Sequence, residues 1–294
     1  MSEEYTIFDR RRLRRRRAAA AANMPEAGFL HREVRQRLLE RLEDINREFG
    51  TALAIGWDAP NDEPVPAKEV VFADLAETRL PAEDALAVAA DEEFLPFAES
   101  SFDLLLGNLT LHWVNDLPGC LIQSNYALKP DGLFLAAMLG GETLYELRSC
   151  LLDAELEISG GASPRISPMA ELRDLGGLLQ RAGFAMPVVD TDRLTVTYGD
   201  PLALMRDLKA MGETNMLLER QRRFTRRGIF LRAAELYAER FARSDGRLPA
   251  SFEILFLTGW APGPGQPRPK RPGSATTRLA EALGSEEISV PGVR

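Results

Sequence analysis

The sequence predicts a doubly wound α/β fold: a mostly parallel seven-stranded sheet with a helical insertion after the fifth strand. Three observations carry this. Apolar runs of strand length alternate with stretches long enough for crossovers, the pattern of a parallel sheet covered on both faces. Leu30, Val34, Leu38, Leu42, Ile45 and Phe49 recur at helical spacing. Lys129-Pro130-Asp131-Gly132 reads as a turn before a further apolar run, with Pro presetting φ and Gly tolerating a positive φ.

Taken in order, Asp9–Ala22 is Arg- and Ala-rich and reads as a solvated helix of good intrinsic propensity. Docking to anionic lipid or RNA, and a lid or partner-binding role, stay open for it. Gly28–Phe49 is the amphipathic helix. Strands are expected at Thr51–Trp57, Lys68–Ala73, Ala85–Ala90, Phe102–Leu106 and Leu133–Leu139. After Gly140, helical patterns at Thr143–Leu156, Met169–Ala182, Pro201–Met211 and Thr225–Ala242 surround strands near Pro187–Tyr198 and Glu253–Trp260. Five prolines in Ala261–Gly273 mark an extended linker.

Composition narrows the class. Of 294 residues, 45% are hydrophobic, enough for a sizeable core and too many for a disordered chain. No stretch approaches the roughly 18 apolar residues of a membrane span. Two cysteines, Cys120 and Cys150, exclude a disulfide scaffold and a four-thiolate zinc site and read as small core residues. With no signal peptide, a cytoplasmic, reducing compartment is expected. The net charge of −8 argues against a general polyanion binder, so no specific nucleic-acid partner is expected. Seven arginines against Glu3, Glu4 and Asp9 give residues 1–22 a net +4 and leave −12 for the remainder. That basic helix is the one candidate for peripheral membrane contact. Arginine far outnumbers lysine, the residue usage of a GC-rich bacterial genome.

Several residues could carry chemistry. Val70-Val71-Phe72-Ala73-Asp74 is an apolar strand ending in a carboxylate, the placement that binds ribose hydroxyls at the carboxyl edge of such a sheet. Two histidines, His31 and His112, would both be needed for a two-His-one-carboxylate iron site, and no metal site is predicted. His112 beside Trp113 reads as a hydrogen-bonded pair at the core or rim. Tyr145 and Arg148 lie one helical turn apart with Glu146 beside them, which suits a substrate contact or a surface ion pair. No Gly-x-Ser-x-Gly, paired-Cys motif or phosphate loop appears. No catalytic residue is assigned.

Longer blocks give a resemblance. Ala90-Asp91-Glu92-Glu93-Phe94-Leu95-Pro96-Phe97, Leu111-His112-Trp113-Val114-Asn115-Asp116-Leu117-Pro118, Leu128-Lys129-Pro130-Asp131-Gly132, Gly141-Glu142-Thr143-Leu144-Tyr145-Glu146-Leu147-Arg148 and Ser163-Pro164-Arg165-Ile166-Ser167-Pro168 resemble one branch of the class I S-adenosylmethionine-dependent methyltransferases. The opening Ile7-Phe8-Asp9-Arg10 and the late Arg271-Pro272-Gly273-Ser274-Ala275-Thr276 match as well. The branch contains a mitochondrial complex I assembly factor with a methyltransferase fold. Its cousin is the malonyl-acyl-carrier-protein methyltransferase of biotin synthesis.

The resemblance implies that Asp74 holds the cofactor ribose, Asp91 meets the adenine amino group, and Glu92 sits beside the base. Asn108 would lie near the methionine end, and Trp113, Tyr145 and Arg148 on the substrate side. Residues 1–50 would be N-terminal helices, 51–140 the cofactor-binding half, 141–261 the insertion with the last two strands, and 262–294 linker and tail. The implied client is a protein, in the assembly factor an arginine of a complex I subunit that is hydroxylated.

One segment departs from the pattern. The family's first strand runs into an acidic, glycine-rich loop and then a helix, whose backbone closes on the cofactor. Here Ala54 replaces the acid, Asp58 and Pro60 replace glycines, and only Gly56 remains. Pro64 and Pro66 leave no room for the usual first helix, so the crossover reads as a loop. Losing these contacts costs on the order of a thousandfold in affinity, so weak or absent S-adenosylmethionine binding is expected. Three functions follow: the family activity on a protein, a non-catalytic assembly or binding protein that kept the fold, and methyl esterification of malonyl-acyl-carrier protein.

Overall fold

The computed structural model describes residues 6–57, 64–81, 85–267, 274, 276–277 and 279–285. Contacts divide the chain into Met1–Gly263, which holds the whole sheet, and Pro264–Arg294, which holds one short helix.

The elements run α1 (Arg10–Ala20), α2 (Met24–Ala27), α3 (Phe29–Glu43), β1 (Phe49–Ile55), β2 (Ala67–Asp74), β3 (Leu86–Ala89), β4 (Phe102–Asn108), α4 (Leu117–Ala127), β5 (Leu128–Leu139), α5 (Tyr145–Ser159), α6 (Leu172–Arg181), β6 (Ala185–Tyr198), α7 (Pro201–Met211), α8 (Arg227–Phe241), β7 (Leu248–Trp260) and α9 (Leu279–Leu283). The seven strands form one sheet in the order β3-β2-β1-β4-β5-β7-β6. The first five run parallel, and β7 pairs antiparallel with both β5 and β6. This is the expected doubly wound architecture.

Two apolar layers hold it. Alternate residues of each strand face opposite ways. Ala52, Leu104, Leu106 and Leu135 join α3, α5, α7 and α8 on one face, while Leu53, Leu105, Phe134 and Met138 join α4 and α6 on the other. Burial on both sides explains why the central strands read as continuous apolar runs. At the edge, β6 is only part-covered: Val189 packs on the layer of α4 and α6, Leu194 and Val196 on the opposite layer, and the alternation of part-buried and exposed side chains shifts at Asp190–Thr191.

Three expectations need correction. The first amphipathic helix ends at Glu43, and Phe49 opens β1, because Phe49 pairs with Ala67 in the sheet. The Lys129–Gly132 turn lies inside β5 as a bulge: Leu128 pairs with Phe102 and Leu133 with Leu104, and Asp131 takes up the extra residues at φ +62°. The basic N-terminal helix is not solvated all round. Leu13, Arg17 and Ala20 are buried, leaving Arg11, Arg14 and Arg15 on the exposed face. In the crossover from β1 to β2, Asp58–Glu63 lie outside the described residues, and the described remainder up to β2 is not helical.

Candidate functional site

Parallel strands bring the loops after β1 to β5 to one carboxyl edge, where such sheets bind ligands. Gly56 leaves β1 at φ +72°, and a Cβ there would stand 2.6 Å from the Asn108 carbonyl oxygen, so only glycine fits. Trp57 is a core residue, with the Arg35 guanidinium 5.8 Å from its ring centroid. Asn108 ends β4 fully buried, donating from Nδ2 to the His31 carbonyl at 3.2 Å, while its Oδ1 meets no donor. Leu109 follows with φ +53° and Leu144, before α5, has φ +54°. Two leucines in the left-handed region store about 1–3 kcal/mol each, and strain of this kind concentrates at functional edges.

The acids at this edge form one cluster, with cations from α1 and, 3.7 Å from Asp74 Oδ2, Arg79 from the turn after β2. Asp74 is 2% exposed; its Oδ1 accepts from the Ala76 amide at 2.7 Å and lies 3.9 Å from Arg17 Nη1. Arg17 Nη1 also donates to Glu92 Oε1 at 2.7 Å. Arg10 Nη2 donates to both Asp91 and Glu92. Glu93 Oε1 accepts from the Asn115 amide at 2.6 Å and from its side-chain nitrogen at 3.0 Å. In turn Asn115 Oδ1 accepts from the amides of Ile7 (2.8 Å) and Phe8 (2.7 Å), so the same residue pins the segment leading into α1. Asp9 caps the helix, its Oδ1 accepting from the Arg12 amide at 2.9 Å.

The electrostatics follow from this packing. Burial raises the Glu92 carboxyl, but Arg17 and Arg10 outweigh it and bring the group down to about 2. Burial likewise works against the charge on Arg17, and Glu92 and Asp74 more than restore it. Glu92 and the two guanidiniums therefore stay ionised together.

Beyond Asn108 the next wall is built from His112, Trp113 and Glu213. Glu213 Oε2 accepts from Trp113 Nε1 at 3.0 Å and lies 3.2 Å from His112 Nε2; Oε1 lies 3.8 Å from His31 Nε2. Burial opposes the Glu213 charge, yet His112, His31 and Arg17 bring its carboxyl down to about 2. An ionised carboxylate only accepts, so His112 carries its proton on Nε2. This wall borders a cavity of about 440 Å³ between α1, α5 and α7.

The predicted residues thus divide. Asp74, Asp91 and Glu92 come together through Arg10 and Arg17, Gly56 and Asn108 touch one another's loops, and Trp113 faces the cavity. Tyr145 and Arg148 stand apart from the cavity. Tyr145 meets the Phe241 ring edge-on at 5.9 Å, and Arg148 Nη2 donates to the Gly141 carbonyl at 2.9 Å beside a second, shallower hollow. Sequence reasoning missed Arg10, Arg17, Glu93, Asn115 and Glu213. A signal for α1 existed: Leu13, Arg17 and Ala20 fall at i, i+4 and i+7, one helical face.

Among the described residues, no group of three or more His, Cys, Asp or Glu could hold a metal ion. The fit to S-adenosylmethionine is divided. Asp74 Oδ2 is buried and makes no hydrogen bond, which suits a ribose hydroxyl, though Arg79 Nε already faces it at 3.7 Å. Against that, the guanidiniums of α1 hold the acids for the base, and a core tryptophan follows Gly56 where an open glycine cradle is required.

Comparisons place these features in context. A family described as "Methyltransferase domain" matches residues 67–136 and supports S-adenosylmethionine as the cofactor of this fold. The mitochondrial arginine-hydroxylase NDUFAF5 of Homo sapiens is 43% identical over 298 residues, covering 97% of this chain and 86% of the relative. A malonyl-acyl-carrier-protein O-methyltransferase of Gallionella capsiferriformans is 32% identical, covering 93% and 97%. Among solved structures, the YcgJ protein of Bacillus subtilis shares the fold with a TM-score of 0.51 at 14% identity, covering 76% of this chain and 97% of that one.

Proposed function

The chain belongs to the methyltransferase-fold family of the arginine-hydroxylase NDUFAF5, and from that premise we propose that it acts on a protein client during assembly of respiratory complex I. The observation that carries the reading is the reach of the similarity, 97% of the chain, which takes in the helices and loops that build the cavity beside Trp113 as well as the sheet. The carrier-protein methyltransferase is a more distant relative, which favours the assembly reading. In this reading Asp74, Asp91 and Glu92 face the adenosine half of the cofactor and Gly56 and Asn108 its methionine half, with Trp113, Tyr145 and Arg148 on the client side. A bacterial, cytoplasmic setting is part of the proposal, supported by arginine-dominated residue usage. No helix of the described residues is long and apolar enough to cross a membrane.

A second reading has its own observation. Arg10 and Arg17 occupy the acid cluster, as a protein that binds its client without cofactor chemistry would allow. One experiment separates the two: deletion of the gene in a complex I-containing host, with mass spectrometry of the complex I subunits. Loss of an arginine modification supports the enzymatic reading. Failed assembly with every arginine unchanged supports the binding protein, and normal assembly with unchanged subunits overturns both.

A further inference from the structure

The cavity beside Trp113 combines an apolar interior with a cationic mouth. Leu147, Leu208, Met205, Phe230 and Phe252 supply the interior. Arg12, Arg16 and Lys209 stand at its lining, and none of the three meets a carboxylate within ion-pair distance among the described residues. Two other arginines of the lining are already paired, Arg165 with Glu155 and Arg220 with Asp9. Burial, then the neighbouring charges of Arg220 and Arg16, lowers the proton affinity of Arg12, with Asp9, itself paired to Arg220, opposing in part. Two hydroxyls of the lining, Ser167 Oγ and Thr214 Oγ1, are buried with no hydrogen-bond partner. Ser167 as a whole is 3% exposed, so this polar atom lacks solvent as well as a protein partner. The one acid of the lining, Glu213, is already held by His112 and Trp113.

We propose that this cavity binds a small amphipathic anion: an alkyl chain in the apolar interior, ending in a carboxylate or phosphate held by Arg12, Arg16 and Lys209. Its volume, about 440 Å³, falls in the usual range for small-molecule sites, about 300–1,000 Å³. A chain of methylenes suits walls of leucine, methionine and phenylalanine, and an anionic head separates cations that otherwise repel. Ser167 and Thr214 are free to donate to oxygens near the head. The inference goes beyond the complex I reading, because such a ligand binds whether or not the chain modifies a client. Decanoate binding in a chain that leaves complex I unaffected would sink that reading and leave this one standing.

Calorimetric titration of the full chain with hexanoate, octanoate and decanoate tests it, with decyl phosphate, decanol and decyltrimethylammonium as comparators. Saturable one-to-one binding is expected for the anions, tightening about fourfold with each methylene until the cavity is full. Tighter binding of decyl phosphate than decanoate, or the reverse, supports the site and identifies its preferred head. The paired substitutions Arg16→Glu and Lys209→Glu should weaken decanoate by at least about tenfold. Lys209→Glu alone, on an exposed side chain, serves if the pair does not fold. Met205→Trp, which fills the interior, should abolish the gain with chain length. The proposal is overturned if decanol or the cation binds as tightly as decanoate, if charge reversal changes nothing, or if millimolar decanoate gives no saturable heat.

Discussion

Arg17 and Glu92 are 2% and 1% exposed and hold each other at 2.7 Å, so each is the other's solvent. Removing one partner strands the other. Arg17→Met is expected to destabilise the chain by about 3–5 kcal/mol in urea unfolding, more than the loss of the pair's net attraction. The same pair sets an acid limit. Glu92 has its carboxyl near 2 when folded against 4.5 ordinarily, so the unfolded chain binds the proton more readily. Its contribution is complete above about pH 4.5 and is lost as the pH falls towards 2. The protection factors of the α1 amides, observed rate set against intrinsic rate, should be constant from neutral pH to about 5 and fall below about 4. Protection that survives unchanged at pH 2 contradicts this account. Asp74 and Asp91 were legible as acids at strand ends. That their partners include Arg17 and Arg10, far earlier in the chain, was not, because the spacing of Leu13, Arg17 and Ala20 marks an inward face without saying which acids meet it.

At the scale of elements, α1 decides how open the site is. The helix enters through Asn115 and the Asp9 cap, lays Leu13, Arg17 and Ala20 inward, and closes the acid cluster. Full-length protein should therefore bind S-adenosylmethionine more weakly than low micromolar. Paired Arg10→Ala and Arg17→Ala substitutions should tighten binding if the guanidiniums compete with the cofactor for the acids, by about tenfold or more in calorimetry. Unchanged heats in that variant place the obstacle at the loop after β1 instead. Gly56→Ala tests that loop: φ +72° and a 2.6 Å approach to Asn108 predict a loss of about 1–3 kcal/mol of stability in thermal unfolding. Helix α7 shows what spacing and caps alone can achieve. Its range, Pro201–Met211, coincides with the sequence reading, since Asp200 caps it and Pro201 starts it. The first strand moved because Phe49 fits both the helical period and a strand, and only pairing with Ala67 separates the two.

Across the whole molecule, stability lies in the two apolar layers around β4, β5 and β7, while β6 contributes an edge. Leu104→Ala, at a fully buried position between β1 and β5, should cost about 2–5 kcal/mol in denaturant unfolding. Thr195→Ala on exposed β6 should stay within about 0.5 kcal/mol. Equal effects at the two positions would contradict a core placed in the centre of the sheet.

By itself the sequence determined the fold class, the strand count, the edge acids and the lost glycine loop, because each is written in local periodicity, turn chemistry or ordered motifs. Only the tertiary structure decided that a basic helix is partly a core element, that Glu213 collects His112 and Trp113, and that Tyr145 and Arg148 stand away from the cavity. Those outcomes depend on which side chains meet across distant stretches of chain. A buried charge is stable only beside its partner, and partners brought together by a sheet edge have no fixed spacing in sequence.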